Sequence, residues 1–222
     1  YEPRGGRITV DGTDLRDVPL AWFTGRIGLV PQVAHLFAGT IRENIRYGRL
    51  EATDGDIETA ARRVKAHAFI EALEKGYDTE VGEGGERLST GQRQLVALAR
   101  AVLRDPQILV MDEATSSIDT ATERLVQEGV DELLRGGGGR ISFVVAHRLS
   151  TVRRADLILV IEKGRIAEQG SHAELLARRG RYWELYTNQF VADREREVLH
   201  LKDAAAEATV ASLVGDGDGD DA

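Results

Sequence analysis

Ile108-Leu109-Val110-Met111-Asp112-Glu113 places four apolar residues directly before two carboxylates. A short, unbroken apolar run fits a strand of a parallel sheet, where both faces are covered and no polar alternation is needed. Ending such a strand in Asp112 and Glu113 delivers both carboxylates to the carboxyl edge of the sheet, the edge at which α/β proteins bind ligands. There an Asp can organise a hydrated Mg²⁺ beside a phosphate chain, and a second carboxylate can polarise an attacking water. A solvated strand end is the competing reading of these six residues taken alone.

Working outward, Ile141-Ser142-Phe143-Val144-Val145-Ala146 repeats the apolar pattern, and Arg26-Ile27-Gly28-Leu29-Val30 gives another strand, stopped by Pro31. Between the strands the period changes. From Thr40 to about Arg104 apolar residues recur at three and four, as in Ile57, Ala60, Ala61, Val64 and Ala68, which predicts a helical block. A further helix is expected from Ala121 to Leu134, ended by Gly136 to Gly139. Arg7 to Val10 runs into a turn at Asp11-Gly12, and Leu157 to Ile161 with Arg165 to Ala167 reads as a hairpin around Lys163-Gly164. Ser171 and Glu174, three apart, form a capping box for a following helix. After about Val191 the chain is charged and Ala-rich, ending in alternating Gly and Asp. That composition predicts disorder. The last stretch is superficially like a calcium loop, but no bidentate Glu follows at the required position.

Composition narrows the function classes. With 222 residues, 42% hydrophobic and 30% charged, there is enough apolar material for a sizeable core. No cysteine is present, which excludes disulfides and thiolate metal sites and is compatible with a reducing compartment. A net charge of -8 argues against a nucleic-acid backbone as partner. No apolar run reaches the ~18 residues of a membrane-spanning helix.

Leu88-Ser89-Thr90-Gly91-Gln92 precedes an Ala-rich amphipathic stretch. A small turn opening a helix exposes backbone N–H groups, and the helix dipole favours an anion there. An ordinary capped helix explains the pentapeptide equally well in isolation. Together with its surroundings, however, it resembles the LSGGQ signature of ABC-type ATPases. Asp112-Glu113 lies downstream as their Walker B does, Ser117-Ile118-Asp119 is similar to the D-loop, and His147 in Ala-His-Arg-Leu-Ser to the switch histidine. Gln32 in Val30-Pro31-Gln32 is similar to the Q-loop glutamine. Phe37 to Ile45 and Gly76 to Glu83 resemble the segments of exporters that face the transmembrane helices, the second being the exporter X-loop.

The resemblance implies an α/β fold, a RecA-like P-loop NTPase core with an inserted α-helical subdomain. The ATPase domain would occupy residues 1–190, its helical subdomain about 40–105, and the tail 191–222. It implies ATP and Mg²⁺ as cofactors. Asp112 then holds the hydrated Mg²⁺, and Gln32 touches the ion or the attacking water and reports to the membrane domain. Glu113 is the general base that orients water, and His147 contacts the γ-phosphate. Ser89, Thr90, Gly91 and Gln92 face the nucleotide of a second ATPase domain, in a homo- or heterodimer, and Asp119 couples the two sites. A transmembrane domain upstream in the same chain, a place at the cytoplasmic face of the cell membrane, and export of a drug, lipid or peptide-like solute complete the implied picture.

Two departures stand out. No G-x-x-x-x-G-K-[ST] occurs, none of the four lysines (65, 75, 163, 202) having that context, so the phosphate-binding loop is missing. The sequence therefore reads as N-terminally truncated, and the fragment as inactive alone. Thr90 replaces the usual signature glycine, and a β-branched residue there crowds an incoming phosphate. DNA-repair and chromosome ATPases share the signature and Walker B, but they place long coiled coils before the signature, where this chain has a compact helical block. A non-catalytic nucleotide sensor is disfavoured by the presence of Glu113.

Overall fold

Asp11 and Gly12 turn the chain back between β1 (Thr9–Val10) and β2 (Thr13–Asp14), both with positive φ, 48° and 82°. Two successive positive φ values match the twist of an antiparallel pair, as the Asp-Gly dipeptide predicts. In chain order there follow α1 (Leu20–Thr24), β3 (Ile27–Val30), α2 (Ile41–Arg46), α3 (Asp54–Arg63), α4 (His67–Glu71), α5 (Thr90–Arg104), β4 (Ile108–Asp112), α6 (Thr120–Arg135) and β5 (Ile141–Val145). This computed structural model describes residues 3, 5–112, 120–135, 139–146 and 149–188. The chain divides into two compact units, Tyr1–Val145 and Ala146–Ala222.

The three strands of the first unit lie in the order β3-β4-β5, all parallel, with Val30, Met111 and Val144 in register. Parallel neighbours need long crossovers. The crossover between β3 and β4 carries the helical block, and that between β4 and β5 carries α6.

Helix starts in the block are fixed by side chains. The hydroxyl of Thr40 accepts from Glu43 N while Glu43 accepts from Thr40 N, and Thr53 with Asp56 and Ser89 with Gln92 repeat the arrangement. Each satisfies two amides that the first turn leaves without partners. Lys65, at φ 62°, breaks α3 from α4. Helix α5 is buried nearly all round, from Leu95 through Leu103, and so forms the centre of the unit. Against it pack α2, α3 and α6, with Ile41, Ile45, Ile57 and Val64 fully buried. A Cβ on Gly48 would overlap the carbonyl oxygen of Arg100, so only glycine lets α2 end this close to α5.

The sheet differs from its sequence reading in one respect. Leu109, Met111 and Val144 face the core, but Leu29 is 65% exposed and Phe143 56% exposed, with Val110 in register between them. Continuous apolar strands predict cover on both faces, whereas among the described residues only one face is covered. The run stays apolar on the open face all the same.

In the second unit, α7 (Leu149–Arg153) precedes the antiparallel pair β6 (Ile158–Glu162) and β7 (Arg165–Gly170), joined by Lys163 and Gly164 at φ 50° and 75°. Ser171 caps α8 (His172–Arg178) with Glu174, as the sequence predicts. Glu168 accepts from the backbone N–H of Arg181 and Tyr182 at the start of the helical residues 181–188. The carboxylate thus meets the positive end of that helix. Val160, Leu175 and Tyr182 form this unit's own core. The tail 191–222 lies outside the described residues. No helix among the described residues is long and apolar enough to cross a membrane.

Candidate functional site

Parallel strands point all their carboxyl ends one way. The edge formed by Val30, Asp112 and Val145 is therefore a single line of strand ends, with Asp112 paired to Val145. Two residues past Val30, exposed Gln32 sits in the bend after Pro31. Asp112, half-buried, closes β4. Gln32 and Asp112 thus share the edge. Glu113, Ser117, Ile118, Asp119 and His147 lie outside the described residues.

No group of three or more His, Cys, Asp or Glu that could hold a metal occurs among the described residues. One strand-end carboxylate does fit Mg²⁺, which keeps several waters and is held by one or two carboxylates together with substrate phosphates.

The signature residues open α5. Ser89 Oγ accepts from Gln92 N at 3.2 Å, and Gln92 Oε1 accepts from Ser89 N at 3.0 Å. With that oxygen occupied as an acceptor, the Ser89 hydroxyl hydrogen is left to donate, which suits a phosphate oxygen. Thr90 and Gly91 contribute the first two amides of the helix, where the dipole favours an anion. Arg93, unmarked in the sequence reading, clasps this turn. Its guanidinium donates to Leu88 O at 2.7 Å, to Gly85 O at 3.4 Å and to the Thr90 hydroxyl at 3.1 Å. The residue that departs from the signature is therefore tied into it. At the other end of α5, Arg104 donates to Ile27 O, Thr24 O and Gly25 O, beside the start of β3. No hydrogen bond or ion pair among the described residues joins Ser89–Gln92 to Asp112 or Gln32.

The two exporter-like segments, some forty residues apart, are bonded to each other. Thr40 bridges Glu80, Ile41 N donates to Thr79 O at 3.0 Å, and Val81 N to Gly39 O at 2.9 Å. Arg42 adds ion pairs to Asp78 at 2.9 Å and Asp54 at 3.2 Å. The hydrogen bond from Arg42 holds the Asp78 carboxyl below its ordinary range. From Val81 the bonds continue into the signature, through Arg87 N to Val81 O and Leu88 N to Gly85 O.

Asn44 is the buried polar group of α2, 2% exposed. Its amide exchanges bonds with Phe37 N and O at 2.9 Å each, donates to Thr40 O, and accepts from Arg100 Nη2 at 2.9 Å. Every donor and acceptor of the amide is satisfied, so the network holds the loop after Gln32 rigidly. Asn44 falls on the apolar face of Ile41 and Ile45, and Arg100 interrupts an apolar run. Polar residues at core positions were the available signal.

The comparisons with known proteins decide the family. The family described as ABC transporter matches residues 1–116. The chain belongs to the ABC transporter family. An uncharacterised ABC transporter ATP-binding protein of Bacillus subtilis (strain 168) is 50% identical over 190 residues, covering 86% of this chain and 31% of that protein. An ATP-dependent lipid A-core flippase of Syntrophus aciditrophicus (strain SB) is 47% identical over 204 residues, 92% of this chain and 33% of the flippase. The solved structure of a bacterial Atm1-family ABC exporter with ATP bound superposes with a TM-score of 0.77 at 43% identity, covering 85% of this chain and 32% of that one. The fold of this family member is accordingly the ABC ATPase fold, as the resemblance of its motifs implies. The chain spans about a third of the length of the curated relatives it matches.

Proposed function

We propose that the chain is the ATP-binding and hydrolysing part of an ABC exporter, coupling ATP turnover to solute movement across the cell membrane from its cytoplasmic face. The observation that carries this reading is the placement of Asp112 and Gln32 on one carboxyl edge of the parallel sheet. Bound Mg²⁺ would supply charge neutralisation of the phosphates, with Asp112 and Gln32 as the residues that hold it. Glu113 follows Asp112 directly, and its role is to accept a proton from water while aligning it for in-line attack on the γ-phosphate. His147, two residues past β5, contacts that phosphate. Ser89, Thr90, Gly91 and Gln92 offer hydroxyl and amide donors to the nucleotide of a second ATPase domain, and Asp119 couples the two sites.

The triphosphate also needs a nest of amides and a lysine, and these 222 residues contain no such loop. In our reading that loop comes from outside them, and elements accompanying it cover the open sheet face at Leu29 and Phe143. The bonded segments 37–45 and 76–83 form the surface offered to the transmembrane domain. Because they run on to Ser89, movement there reaches the signature.

Mg²⁺-dependent ATP turnover by the full-length protein in lipid vesicles tests the reading. Asp112→Asn is expected to lower turnover by about 10²-fold or more, through loss of the charge that offsets the metal. Wild-type protein without ATP turnover, or an Asp112→Asn variant as fast as wild type, contradicts it.

A further inference from the structure

The turn that opens α5 carries two hydroxyls on adjacent residues, and each has its oxygen already in use as an acceptor. Ser89 Oγ accepts from Gln92 N at 3.2 Å, and Thr90 Oγ1 accepts from Arg93 Nη2 at 3.1 Å. Both residues are exposed. Among the described residues no acceptor takes the hydrogen of either hydroxyl, so each is left with one donor to offer.

The helix itself brings Arg93 to this place. A long side chain on an α-helix points back toward the N-terminus, over the residues three and four earlier. Arg93 therefore lies across Thr90, and it reaches the carbonyls of Leu88 and Gly85 at 2.7 Å and 3.4 Å. Gly85, at φ 81°, makes the room, since a Cβ there would stand 2.8 Å from Arg93 Cδ and 3.0 Å from Leu36 Cδ1. All three partners of the guanidinium are neutral oxygens, and no carboxylate pairs with it among the described residues. A full positive charge thus stands beside the first residue of α5, where the helix dipole is already positive. That is unfavourable for the empty turn and favourable once an anion arrives.

We propose that Arg93 is a positioning residue for ATP turnover that acts through Thr90. It holds the Thr90 oxygen as an acceptor and turns the hydroxyl hydrogen outward beside that of Ser89, toward the nucleotide phosphates. A hydroxyl that accepts from a cation is a stronger donor, because successive hydrogen bonds polarise one another. The sequence alone reads Thr90 as an obstruction to an incoming phosphate. With the clasp in place, it carries a donor that glycine lacks. The inference rests on the ATPase reading above and adds the residue that orients one of its contacts.

The test is steady-state ATP turnover by the full-length protein in lipid vesicles, with its second ATPase domain present and kcat, KM and Tm measured for each variant. Thr90→Val keeps the shape and loses the hydroxyl. A phosphate is charged before it reacts, so the loss falls on binding, and KM for ATP should rise about 10-fold with kcat and Tm little changed. Thr90→Ser keeps the donor and should match wild type, whereas Thr90→Gly should resemble Thr90→Val. Arg93→Gln should raise KM by a similar factor in the wild-type background, but by less than about two-fold on top of Thr90→Val, because the group it acts through is gone. An arginine that merely braces the turn would lower Tm and impair both backgrounds equally, and that result overturns the proposal. Thr90→Val with wild-type kinetics overturns it too, as does Thr90→Gly with a lower KM, which would make Thr90 an obstruction. Thr90→Val and Thr90→Ser leave the bonds to Leu88 and Gly85 in place, so their comparison decides the matter even where Arg93→Gln fails to fold. Wild-type protein without ATP turnover would remove the ATPase reading itself, whereas turnover that Thr90→Val leaves unchanged removes this inference alone.

Discussion

The helical block and the three-stranded sheet are built from equally apolar sequence and share one core, yet only the sheet leaves an apolar face bare. Ile41, Ile45, Ile57 and Val64 have no exposure at all, and three capping boxes fix where the helices begin. In the sheet, by contrast, Leu29, Ile141, Phe143 and Val145 are each more than half exposed. A helix satisfies its backbone internally and needs one apolar stripe covered, whereas a parallel sheet needs a layer on each face. The difference teaches that the block finds its cover within these residues, whereas the outer face of the sheet does not. Asp112 and Gln32, the described residues of the proposed phosphate site, lie at the edge of the sheet, and no phosphate-binding loop occurs in these 222 residues.

The contrast can be broken by paired truncations. Ile57→Ala in the block is expected to lower stability of the chain by about 2–5 kcal/mol, the range for emptying a buried aliphatic site. Phe143→Ala on the open face should cost less than about 1 kcal/mol in the 222-residue chain, since little burial is lost. Urea unfolding of the two variants checks this, and equal losses would erase the distinction. In the full-length protein the Phe143→Ala cost should rise toward that of Ile57→Ala if the face is covered there.

A smaller effect tests the rigidity of the loop after Gln32. Asn44→Ala leaves Phe37 N–H and part of the buried Arg100 guanidinium without acceptors, an expected cost of about 2–3 kcal/mol. Hydrogen exchange should show the Phe37 amide losing protection while β4 amides keep theirs. Unchanged protection at Phe37 would show that the loop is held by something else.

The smallest stability change is expected at the signature. Ser89→Ala removes an N-cap oxygen and should destabilise by about 1 kcal/mol. In full-length protein the same change should reduce ATP turnover by a larger factor than so mild a destabilisation explains, because the hydroxyl hydrogen is also lost to phosphate. Turnover falling only in step with stability would make Ser89 a helix cap and nothing more.

Much of this was legible in the sequence where a local rule decides the outcome. Asp11-Gly12 and Lys163-Gly164 announced turns because few residues tolerate positive φ twice in succession. Ser171 with Glu174 announced α8. The small turn at Leu88–Gln92 announced the start of α5, whereas the same three-residue spacing at Thr40 and Thr53 lies inside a long periodic block, where continuous periodicity masks helix starts. Arg42 with Asp78 and Arg93 with Thr90 divide the remainder. The first pair is 36 residues apart and depends wholly on tertiary approach. The second is local, but whether an arginine turns back on its own helix start is decided by the glycine turn it packs against. Exposure of Phe143 could not be read, because an apolar run specifies what must be covered and not what covers it.

The ATPase reading stands or falls on Glu113, which the sequence places directly after the last residue of β4. The decisive measurement is steady-state ATP turnover of full-length Glu113→Gln, with ATP binding followed in parallel. A group that positions and deprotonates water contributes about 10²–10⁴-fold. Turnover should therefore fall by at least 10²-fold while ATP remains bound and the two ATPase domains stay closed on it. Turnover within a few-fold of wild type would contradict the account.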